Sequence, residues 1–545
     1  MLKPTAAQLK DEGNEFFRKQ DYVGALAKYT EAIALDDNNA ILYANRAACQ
    51  YGLNRYLDAV DDAKMATQID PGYAKAWSRL AASRDALADS EGSAEAWQKA
   101  LDALPKTNLS PAEQRQKDQY GAGLNAAQTT QTRGKTSKNQ CIASVNLDDG
   151  NLPWKIATEM LPEFRKAGLK QFSSSAWVIS YAYEEFTKGV ESMNQLKSIP
   201  HSQAPGGLSY HGNLMGLTYL TNGLMRDERV FHLNHPDWIT KYNNQGNLIL
   251  ALLTFEATAH QAYSGGVETI KELIQKRLKE KGWNDVRPAL SVTVRKWIMK
   301  GMLESHLGGR PDTGVHFLKR AVDLLEWGRL VWKDVHKDDR GVIFEDTFLR
   351  GVRSMHLMMS MNAYSSSPSL NSKFPLENLK EEAEDLLKEI DIMKASNNLS
   401  KEELDPGMVS SFCVYPAAIA HKTIGFYHAQ KARYSNGVSA CMSFMNGATA
   451  YLQAVNTYPA DDEFHAFYLS CAMDCMRNAG MSIGDFNQAA VALRAAVPKM
   501  MKIWAFSILQ QGGRDEKIQA HLRRADEMMK LVAGGKLTLE DPVPF

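Results

Sequence analysis

The sequence predicts an all-α protein in which an N-terminal superhelix of helix-turn-helix repeats precedes a larger helical domain with repeat-like features. Two observations lead to this prediction. The first 107 residues repeat their pattern of small and bulky side chains every 34 residues, and such a period is typical of stacked helix pairs. From about residue 147 onward, apolar residues recur at helical spacing, whereas the period-two alternation expected of strands is scarce.

The repeat is visible in residue types that return at the same position of each 34-residue segment. The recurring positions are Leu9, Tyr43 and Trp77; Gly13, Ala47 and Ala81; Ala32, Ala66 and Ala100; and, five residues later, Asp37, Pro71 and Pro105. A small residue lets the two helices of a pair approach closely, and a Pro begins the next unit after a helix has ended. The pattern resembles the tetratricopeptide repeat. It predicts three repeats and a polar capping helix over residues 110–124, which together form a domain of residues 1–124.

A flexible linker is predicted over residues 125–146, because residues 125–140 are polar, lack hydrophobic periodicity and carry cations without acids. The domain that follows, residues 147–545, is predicted to be helical. Examples of predicted helices are 153–167, 174–196, 247–262, 266–281, 291–307, 315–334, 377–393 and 417–433, with longer breaks at 197–213, 363–376 and 394–408. Ala454 precedes Pro459 by the five residues that separate Ala66 from Pro71, which favours divergent helical repeats in this domain.

Polar residues on the first helix of each repeat point to a binding site in the concave groove. Lys10 and Asn14 are four apart on one helix face, as are Lys75 and Arg79, while Asn45 and Arg79 occupy equivalent positions of consecutive repeats. All five can donate hydrogen bonds. Residues 1–107 contain 13 Lys and Arg against 16 Asp and Glu, so cations gathered in this groove are not a consequence of a basic domain. The set predicts a site for a carboxylate at the end of a polypeptide chain.

These five residues, at these spacings, resemble the dicarboxylate clamp of the co-chaperone tetratricopeptide domains. The segment KDEGNEFFRKQDYVGALAKYTEAIALD is similar to the N-terminal domains of the heat-shock organising protein and of the small glutamine-rich tetratricopeptide protein. The resemblance covers residues 6 to about 122 and implies binding of the Glu-Glu-Val-Asp tails of 70-kDa and 90-kDa heat-shock chaperones. It implies that Lys10, Asn14 and Asn45 bind the terminal main-chain carboxylate. Lys75 and Arg79 then complete the grip on acidic groups.

Charge and composition argue against two classes of partner, nucleic acids and membranes. The chain has 63 Lys and Arg and 63 Asp and Glu, without a basic stripe interleaved with aromatic residues, so we expect no nucleic-acid partner. The longest apolar stretch, residues 248–255, is far shorter than the roughly 20 residues that cross a bilayer. The N-terminus lacks an apolar signal segment, so we expect no membrane partner and a cytoplasmic location. The six cysteines form no C-x-x-C pair, and we expect neither a metal nor a cofactor.

One segment matches a catalytic motif in form. Residues 480–484, GMSIG, fit the Gly-x-Ser-x-Gly nucleophile elbow, which requires a preceding strand. A helix, FYLSCAMDCMRN, is predicted there instead, so we interpret the segment as a turn between helices with Ser482 near an N-cap. With no catalytic set found, we expect a non-enzymatic co-chaperone or adaptor whose C-terminal helical body binds a client or a second partner. The alternatives are an enzyme recruited to chaperones by the same clamp, and a general protein-binding helical-repeat scaffold.

Overall fold

The computed structural model describes residues 4–87, 89–137, 150–168, 173–200, 208–233, 235–252, 267–370, 372–395 and 405–544. Its elements are helices together with one short pair of strands, which confirms the all-α prediction. The chain divides into two compact units. Unit 1 comprises Met1–Ile142 and Ile249–Gly341, and unit 2 comprises Ala143–Leu248 and Val342–Phe545.

Unit 1 begins with three helix pairs, one for each predicted repeat. They are α1 (Ala6–Arg18), α2 (Tyr22–Ile33), α3 (Ala40–Gly52), α4 (Tyr56–Ile69), α5 (Ala74–Ala86) and α6 (Ser90–Asp102). Local sequence fixes where several of them begin. Thr5 and Gln8 form a reciprocal capping box at the start of α1. The side chains of Asp21, Asn39 and Asp89 accept hydrogen bonds from amide groups in the first turns of α2, α3 and α6.

The small residues of the 34-residue pattern lie where the paired helices meet. Ala47 and Ala81 are fully buried, and Gly13 faces the ring of Tyr29 on the second helix of the first repeat. A Cβ atom placed on Gly13 would lie 2.8 Å from Cε1 of Tyr29, which is closer than carbon atoms pack. Glycine at this position therefore sets how near α1 lies to α2.

The helix after the third repeat is longer than predicted. Helix α7 spans Pro111–Ser137, so residues 125–137 are helical and the predicted linker is wrong over that stretch. Ser110 and Glu113 form a capping box, Pro111 stands at the first helical position, and the side chain of Ala127 is buried. These features start and hold a helix whose polar sequence alone suggested a loop. The rest of the predicted linker, residues 138–146, lies outside the described residues.

Helices also make up most of the chain beyond residue 150. They are α8 (Pro153–Ala167), α9 (Ser175–Asn194), α10 (Gly216–Arg226), α11 (Trp238–Leu252), α12 (Val267–Lys281), α13 (Trp283–His306), α14 (Pro311–Val331), α15 (Lys337–Arg340), α16 (Asp346–Ser366), α17 (Leu376–Ala395), α18 (Pro406–Val409), α19 (Tyr415–Ala432), α20 (Gly437–Thr457), α21 (Glu463–Asn478), α22 (Ile483–Trp504), α23 (Ile508–Gln511) and α24 (Arg514–Ala533). Short 3₁₀ helices span Glu228–Val230 and Val342–Phe344, and a π-helix spans Ser410–Val414. The predicted helix 153–167 agrees with α8 at both ends, whereas most of the predicted helix 247–262 lies outside the described residues.

Helices α12 to α15 belong to unit 1 together with the repeats, which differs from the predicted single domain of residues 147–545. Nη2 of Arg310 donates a hydrogen bond to the carbonyl of Asp85 at 2.6 Å, and the hydroxyl of Thr313 donates to the carbonyl of Ala86 at 3.3 Å. The last carbonyl groups of a helix have no partner within it, so these contacts satisfy the end of α5. The rings of Tyr56 and His316 also meet at 4.6 Å between centroids.

A short hairpin in unit 2 replaces the predicted break at residues 197–213. Strand β1 (Lys197–Pro200) pairs antiparallel with β2 (Leu208–His211), with Lys197 opposite His211. All four residues of β1 are exposed, and Ile199 is 50% exposed. Because neither face of β1 is buried, its sequence carries no apolar alternation by which it could have been predicted.

The core of unit 2 is largely apolar, and methionines contribute to it. Met355 and Met359 on α16 are buried, in agreement with the usual role of methionine as a core filler. Gly425 on α19 faces the ring of Tyr451 on α20, where an added Cβ would lie 2.7 Å from Cδ1. This is the packing that Gly13 makes with Tyr29 in unit 1. Among the described residues, none of the helices combines the length and apolar character required to traverse a bilayer.

Candidate functional site

The five residues of the predicted clamp lie on the first helix of each repeat. Lys10 and Asn14 are on α1, Asn45 is on α3, and Lys75 and Arg79 are on α5. The fold brings Asn14 and Asn45 together, because Nδ2 of Asn45 donates a hydrogen bond to Oδ1 of Asn14 at 3.2 Å. Within the described ranges, no hydrogen bond or ion pair joins Lys10 or Lys75 to the other three side chains.

Tyr29, on α2, belongs to the same cluster and was missed by the sequence analysis. Its buried hydroxyl donates a 2.7 Å hydrogen bond to the same Oδ1 of Asn14. Burial raises the pKa of Tyr29 to about 12, so the hydroxyl stays protonated near neutral pH and remains a donor. Oδ1 of Asn14 thus accepts two hydrogen bonds, which fixes the amide and leaves its Nδ2 to donate to a ligand. The sequence signal was Gly13, whose missing side chain makes room for an aromatic ring.

Arg79 lies beside α3. Burial raises the pKa of the Cys49 thiol to about 12, and the positive charge of Arg79 opposes this rise. Arg79 acts in the same sense on Tyr51 and Tyr73, whose pKa values burial raises. Since Cys49 is one helical turn after Asn45, the charge of Arg79 is felt on the face of α3 that carries Asn45.

Several other cations of the repeats are paired with acids, whereas Lys75 and Arg79 are not. Nε of Arg46 lies 2.7 Å from Oδ2 of Asp62, and Nε of Arg55 lies 2.9 Å from Oδ2 of Asp58. Lys75 and Arg79 are exposed, and neither forms an ion pair with any described residue. Lys10 has only Asp11 at the outer limit of an ion pair, 4.0 Å. The first helices of the three repeats therefore carry amide donors and cations without an acid partner, a combination suited to a carboxylate.

Ser482, the serine of the elbow-like segment, is the N-cap of α22. Its Oγ accepts a 3.1 Å hydrogen bond from the amide of Asp485, and α21, rather than a strand, precedes it. The interpretation as a turn between helices is confirmed, since an N-cap serine uses its hydroxyl to satisfy the helix. In the part of the chain that the structure describes, no group of three or more His, Cys, Asp or Glu is placed to hold a metal ion.

Comparison with known proteins places the similarity in the repeats. A scan against models of known families finds no match. The chain is 42% identical over 96 residues to the "Heat shock protein sti1 homolog" of Schizosaccharomyces pombe, which covers 18% of this chain and 16% of that protein. It is 45% identical over 100 residues to "Small glutamine-rich tetratricopeptide repeat-containing protein 2" of Saccharomyces cerevisiae, which covers 18% and 29%. The resemblance to tetratricopeptide co-chaperones is thereby confirmed, over less than a third of the length of these relatives.

Solved structures give a similar result. The tetratricopeptide domain of Sgt2 from Aspergillus fumigatus is 31% identical and covers 27% of this chain and 93% of its own, with a TM-score of 0.22. The first tetratricopeptide domain of Spaghetti, solved with the HSP90 peptide SRMEEVD, is 27% identical and covers 22% and 94%, with a TM-score of 0.20. Because these scores are low, the similarity of the repeats is carried by the sequence relatives.

Proposed function

We propose that this protein is a co-chaperone or adaptor whose repeat groove binds the C-terminal Glu-Glu-Val-Asp tail of 70-kDa or 90-kDa heat-shock chaperones. In this proposal Lys10, Asn14 and Asn45 hold the terminal carboxylate, and Lys75 and Arg79 hold the remaining acidic groups. One observation carries it. Tyr29 fixes the amide pair of Asn14 and Asn45 beside a groove whose exposed cations have no acid partner.

Charge and geometry make a chain-terminal aspartate a better ligand for this groove than an internal one. A terminal aspartate carries two carboxylates a few bonds apart, and each gains charge-assisted hydrogen bonds from a separate set of donors. The asparagine amides supply directional hydrogen bonds without a competing charge, and the cations supply attraction that reaches further. The names of the relatives, one a heat shock protein homolog and one a tetratricopeptide repeat-containing protein, support the same target.

The proposal assigns a non-catalytic, cytoplasmic role and gives the helices of unit 2 the binding of a client or a second partner. Support comes from the described part of unit 2, whose elements are packed helices and one short hairpin. Its most prominent buried charges, those around Arg229, are paired with one another rather than turned toward a substrate.

Fluorescence polarisation with a labelled peptide that ends in Glu-Glu-Val-Asp tests the proposal. We expect binding to the full-length protein and at least tenfold weaker binding for Lys75→Ala and for Arg79→Ala. A hydrogen bond to a charged group is worth about 1.5–3 kcal/mol, which corresponds to a factor of about 10 or more. Amidation of the peptide C-terminus removes the charge that the amide pair reads and is expected to abolish binding.

Arg55→Ala provides the matched control, since Arg55 is a cation of the same repeats that is already paired with Asp58. Its removal is expected to leave the affinity within about twofold, a change below 0.5 kcal/mol for a cation that has no part in the contact. The proposal is wrong if the amidated peptide binds as well as the free acid, or if Arg55→Ala weakens binding as much as Arg79→Ala does.

A further inference from the structure

Helix α20 of unit 2 carries a stripe of apolar side chains that faces solvent. The exposed stripe consists of Val438, Cys441, Met442 and Met445, whose offsets of three, four and seven residues place them on one face of the helix. Val438 is 76% exposed, Met442 59% and Met445 48%, and Cys441 is exposed as well. None of the residues of α20 before Gly447 is buried. Because a helix normally packs a stripe of this spacing against a neighbour, this face is open to a partner.

The stripe is exposed because α20 extends beyond the helices on either side of it. A Cβ atom placed on Gly447 would lie 3.3 Å from Sγ of Cys475 on α21 and 3.5 Å from the backbone nitrogen of Ala429 on α19. Ala429 and Cys475 each lie three residues before the end of their helix, at Ala432 and Asn478. Both neighbours run antiparallel to α20, since consecutive helices joined by short turns reverse direction. Roughly the first seven residues of α20 therefore extend past both neighbours.

The composition of α20 differs from that of a helix whose surface only meets water. None of its 21 residues is charged, whereas the solvent face of a helix normally carries charged side chains. Helix α24 of the same unit, for comparison, has nine charged residues among 20. Methionine is flexible and polarizable, and it is used on surfaces that bind partners of varied sequence. The exposed stripe is therefore suited to apolar contacts with another protein.

Positive charges border the exposed stripe. Arg433 is an exposed residue of the turn that precedes α20, and Arg477 lies in the last turn of α21. Neither arginine forms an ion pair with a described residue, and Nε of Arg477 is buried without a hydrogen-bond partner. The acid nearest to Arg477 on the same helix, Asp474, is already paired with Lys517 and His521. The two arginines are therefore available to acids of a partner.

The N-terminus of α20 adds to this positive charge. Asn436, its N-cap residue, makes no side-chain hydrogen bond to the first turn. The first amide groups of a helix have no partner within it and carry a partial positive charge. No acid on α20 opposes the combined charge of this terminus, Arg433 and Arg477. An apolar surface bordered by positive charge is complementary to an apolar surface bordered by acids.

We infer that the exposed stripe binds the apolar face of an amphipathic helix from another protein, with acidic residues flanking that face. The inference rests on the proposed function only in giving unit 2 a second partner, and it does not depend on the clamp. Helices that bind in this way are recognised through anchors three, four and seven residues apart, the spacing of the stripe itself.

Two other occupants fit the stripe less well. A second copy of the chain would bring Arg433 and Arg477 close to the same cations, and like charges that face each other oppose association. A membrane would be met by only about 11 Å of helix between Val438 and Met445, whereas many helices that lie on membranes are 20–30 residues long. Both occupants are distinguished from a helical partner by the measurements below.

Fluorescence polarisation with two labelled amphipathic peptides tests the inference on the full-length protein. Both peptides are about 20 residues long, have leucines at the stripe spacing and an amidated C-terminus, and differ only in whether glutamates or lysines flank the leucines. We expect the glutamate peptide to bind with a dissociation constant of about 100 µM or tighter, and the lysine peptide at least tenfold more weakly. The Lys75→Ala/Arg79→Ala background is used so that the clamp does not contribute. A failure of the Glu-Glu-Val-Asp peptide to bind the intact clamp therefore remains a separate result.

Three substitutions of exposed residues locate the site. Met442→Glu places a charge within the stripe and is expected to weaken binding of the glutamate peptide at least tenfold. Val491→Glu is the matched control, because Val491 is 56% exposed on α22, outside the stripe, and the affinity is expected to stay within about twofold. Arg433→Glu is expected to weaken binding of the glutamate peptide and to strengthen binding of the lysine peptide. Circular dichroism verifies that each variant is folded.

Four outcomes would overturn the inference. The first is that neither peptide binds, and the second is that Met442→Glu and Val491→Glu change the affinity equally. The third is light scattering that shows a dimer of the wild type which Met442→Glu dissociates, since a second copy would then occupy the stripe. The fourth is binding to phosphatidylserine–phosphatidylcholine vesicles that Met442→Glu abolishes, which would identify a membrane as the partner.

Discussion

The clamp region of unit 1 and the buried ion network of unit 2 use the same residue types in opposite ways. In the clamp, Lys75 and Arg79 are exposed and have no acid partner among the described residues. In the network, Nη2 of Arg229 lies 2.7 Å from Oδ2 of Asp227 and 2.9 Å from Oδ2 of Asp462. The rings of Phe464 and Trp504 lie 4.2 and 3.9 Å from the same guanidinium.

The two regions differ in whether the charges of their cations are already neutralised by acids of the protein. The charges of Asp227 and Asp462 hold the pKa of Arg229 above its usual value although burial opposes this, so the network is complete within the fold. In this network Arg229 already has acid partners within the protein. An exposed, unpaired cation adds little to stability and keeps its full attraction for an anion. Lys75 and Arg79 of the proposed site therefore differ from Arg229 in their pairing with acids, although the residue types are alike.

Breaking the network is expected to give the largest effect. Arg229→Ala leaves the buried carboxylates of Asp227 and Asp462 without their counter-ion and is expected to lower the free energy of unfolding by about 3–5 kcal/mol. Urea unfolding followed by circular dichroism measures the change. Arg494→Ala removes a cation from an exposed pair with Asp526 and is expected to change it by less than about 1 kcal/mol. Equal changes in the free energy of unfolding for the two substitutions would contradict the expected difference between a buried and an exposed ion pair.

The second prediction concerns the packing of Gly13 against Tyr29, which holds Asn14 of the proposed clamp. Gly13→Ala places a Cβ 2.8 Å from the ring of Tyr29, the residue that fixes Asn14. Overpacking of this kind costs about 1–3 kcal/mol. We therefore expect both a lower free energy of unfolding and weaker binding of the Glu-Glu-Val-Asp peptide, measured by fluorescence polarisation.

The same substitution elsewhere in the repeat domain gives the matched control. A Cβ at Gly121, within α7, meets nothing within 4 Å, so Gly121→Ala is expected to stabilise the helix by about 0.5–1 kcal/mol. The peptide affinity is expected to remain unchanged. If Gly13→Ala behaves like Gly121→Ala, then the contact between Gly13 and Tyr29 does not govern the clamp.

Sequence reasoning placed residues on the correct helices where that placement follows from a period. A 34-residue repeat places Asn45 and Arg79 in register, and the helical period places Lys10 beside Asn14, so the candidate site could be assembled without coordinates. It failed where tertiary contacts decide. Tyr29 joins the site because Gly13 leaves room for its ring, and α7 extends through a polar segment because capping and burial of Ala127 favour the helix.

The unit boundary was missed for the same reason. The contacts of Arg310 and Thr313 with the end of α5 join residues more than 200 positions apart, and no local pattern announces them. Local periodicity identifies which residues share one face of a helix. Long-range packing determines which other segment of the chain contacts that face.

The smallest effect is expected from an ion cluster in unit 2 that is paired, as Arg229 is, but only partly buried. Oδ2 of Asp474 lies 2.9 Å from Nζ of Lys517, and its Oδ1 lies 3.3 Å from Nε2 of His521, with the carboxylate 35% exposed. Burial alone would raise the pKa of Asp474, but the hydrogen bond from His521 and the charge of Lys517 outweigh it and lower the pKa to about 2. Solvent screening limits the resulting stabilisation to about 1 kcal/mol.

The direction of this pKa shift fixes the pH dependence. Because the folded-state pKa lies below the ordinary value of 3.8, the stabilisation is complete above about pH 5 and is lost as the pH falls toward 2. The free energy of unfolding of wild type is therefore expected to exceed that of Asp474→Asn by about 1 kcal/mol at pH 6. The difference is expected to vanish near pH 2. Urea unfolding at a series of pH values measures it. A difference that stayed constant with pH would mean that the carboxamide disturbs packing. The charge of Asp474 would then not be the source of the stabilisation.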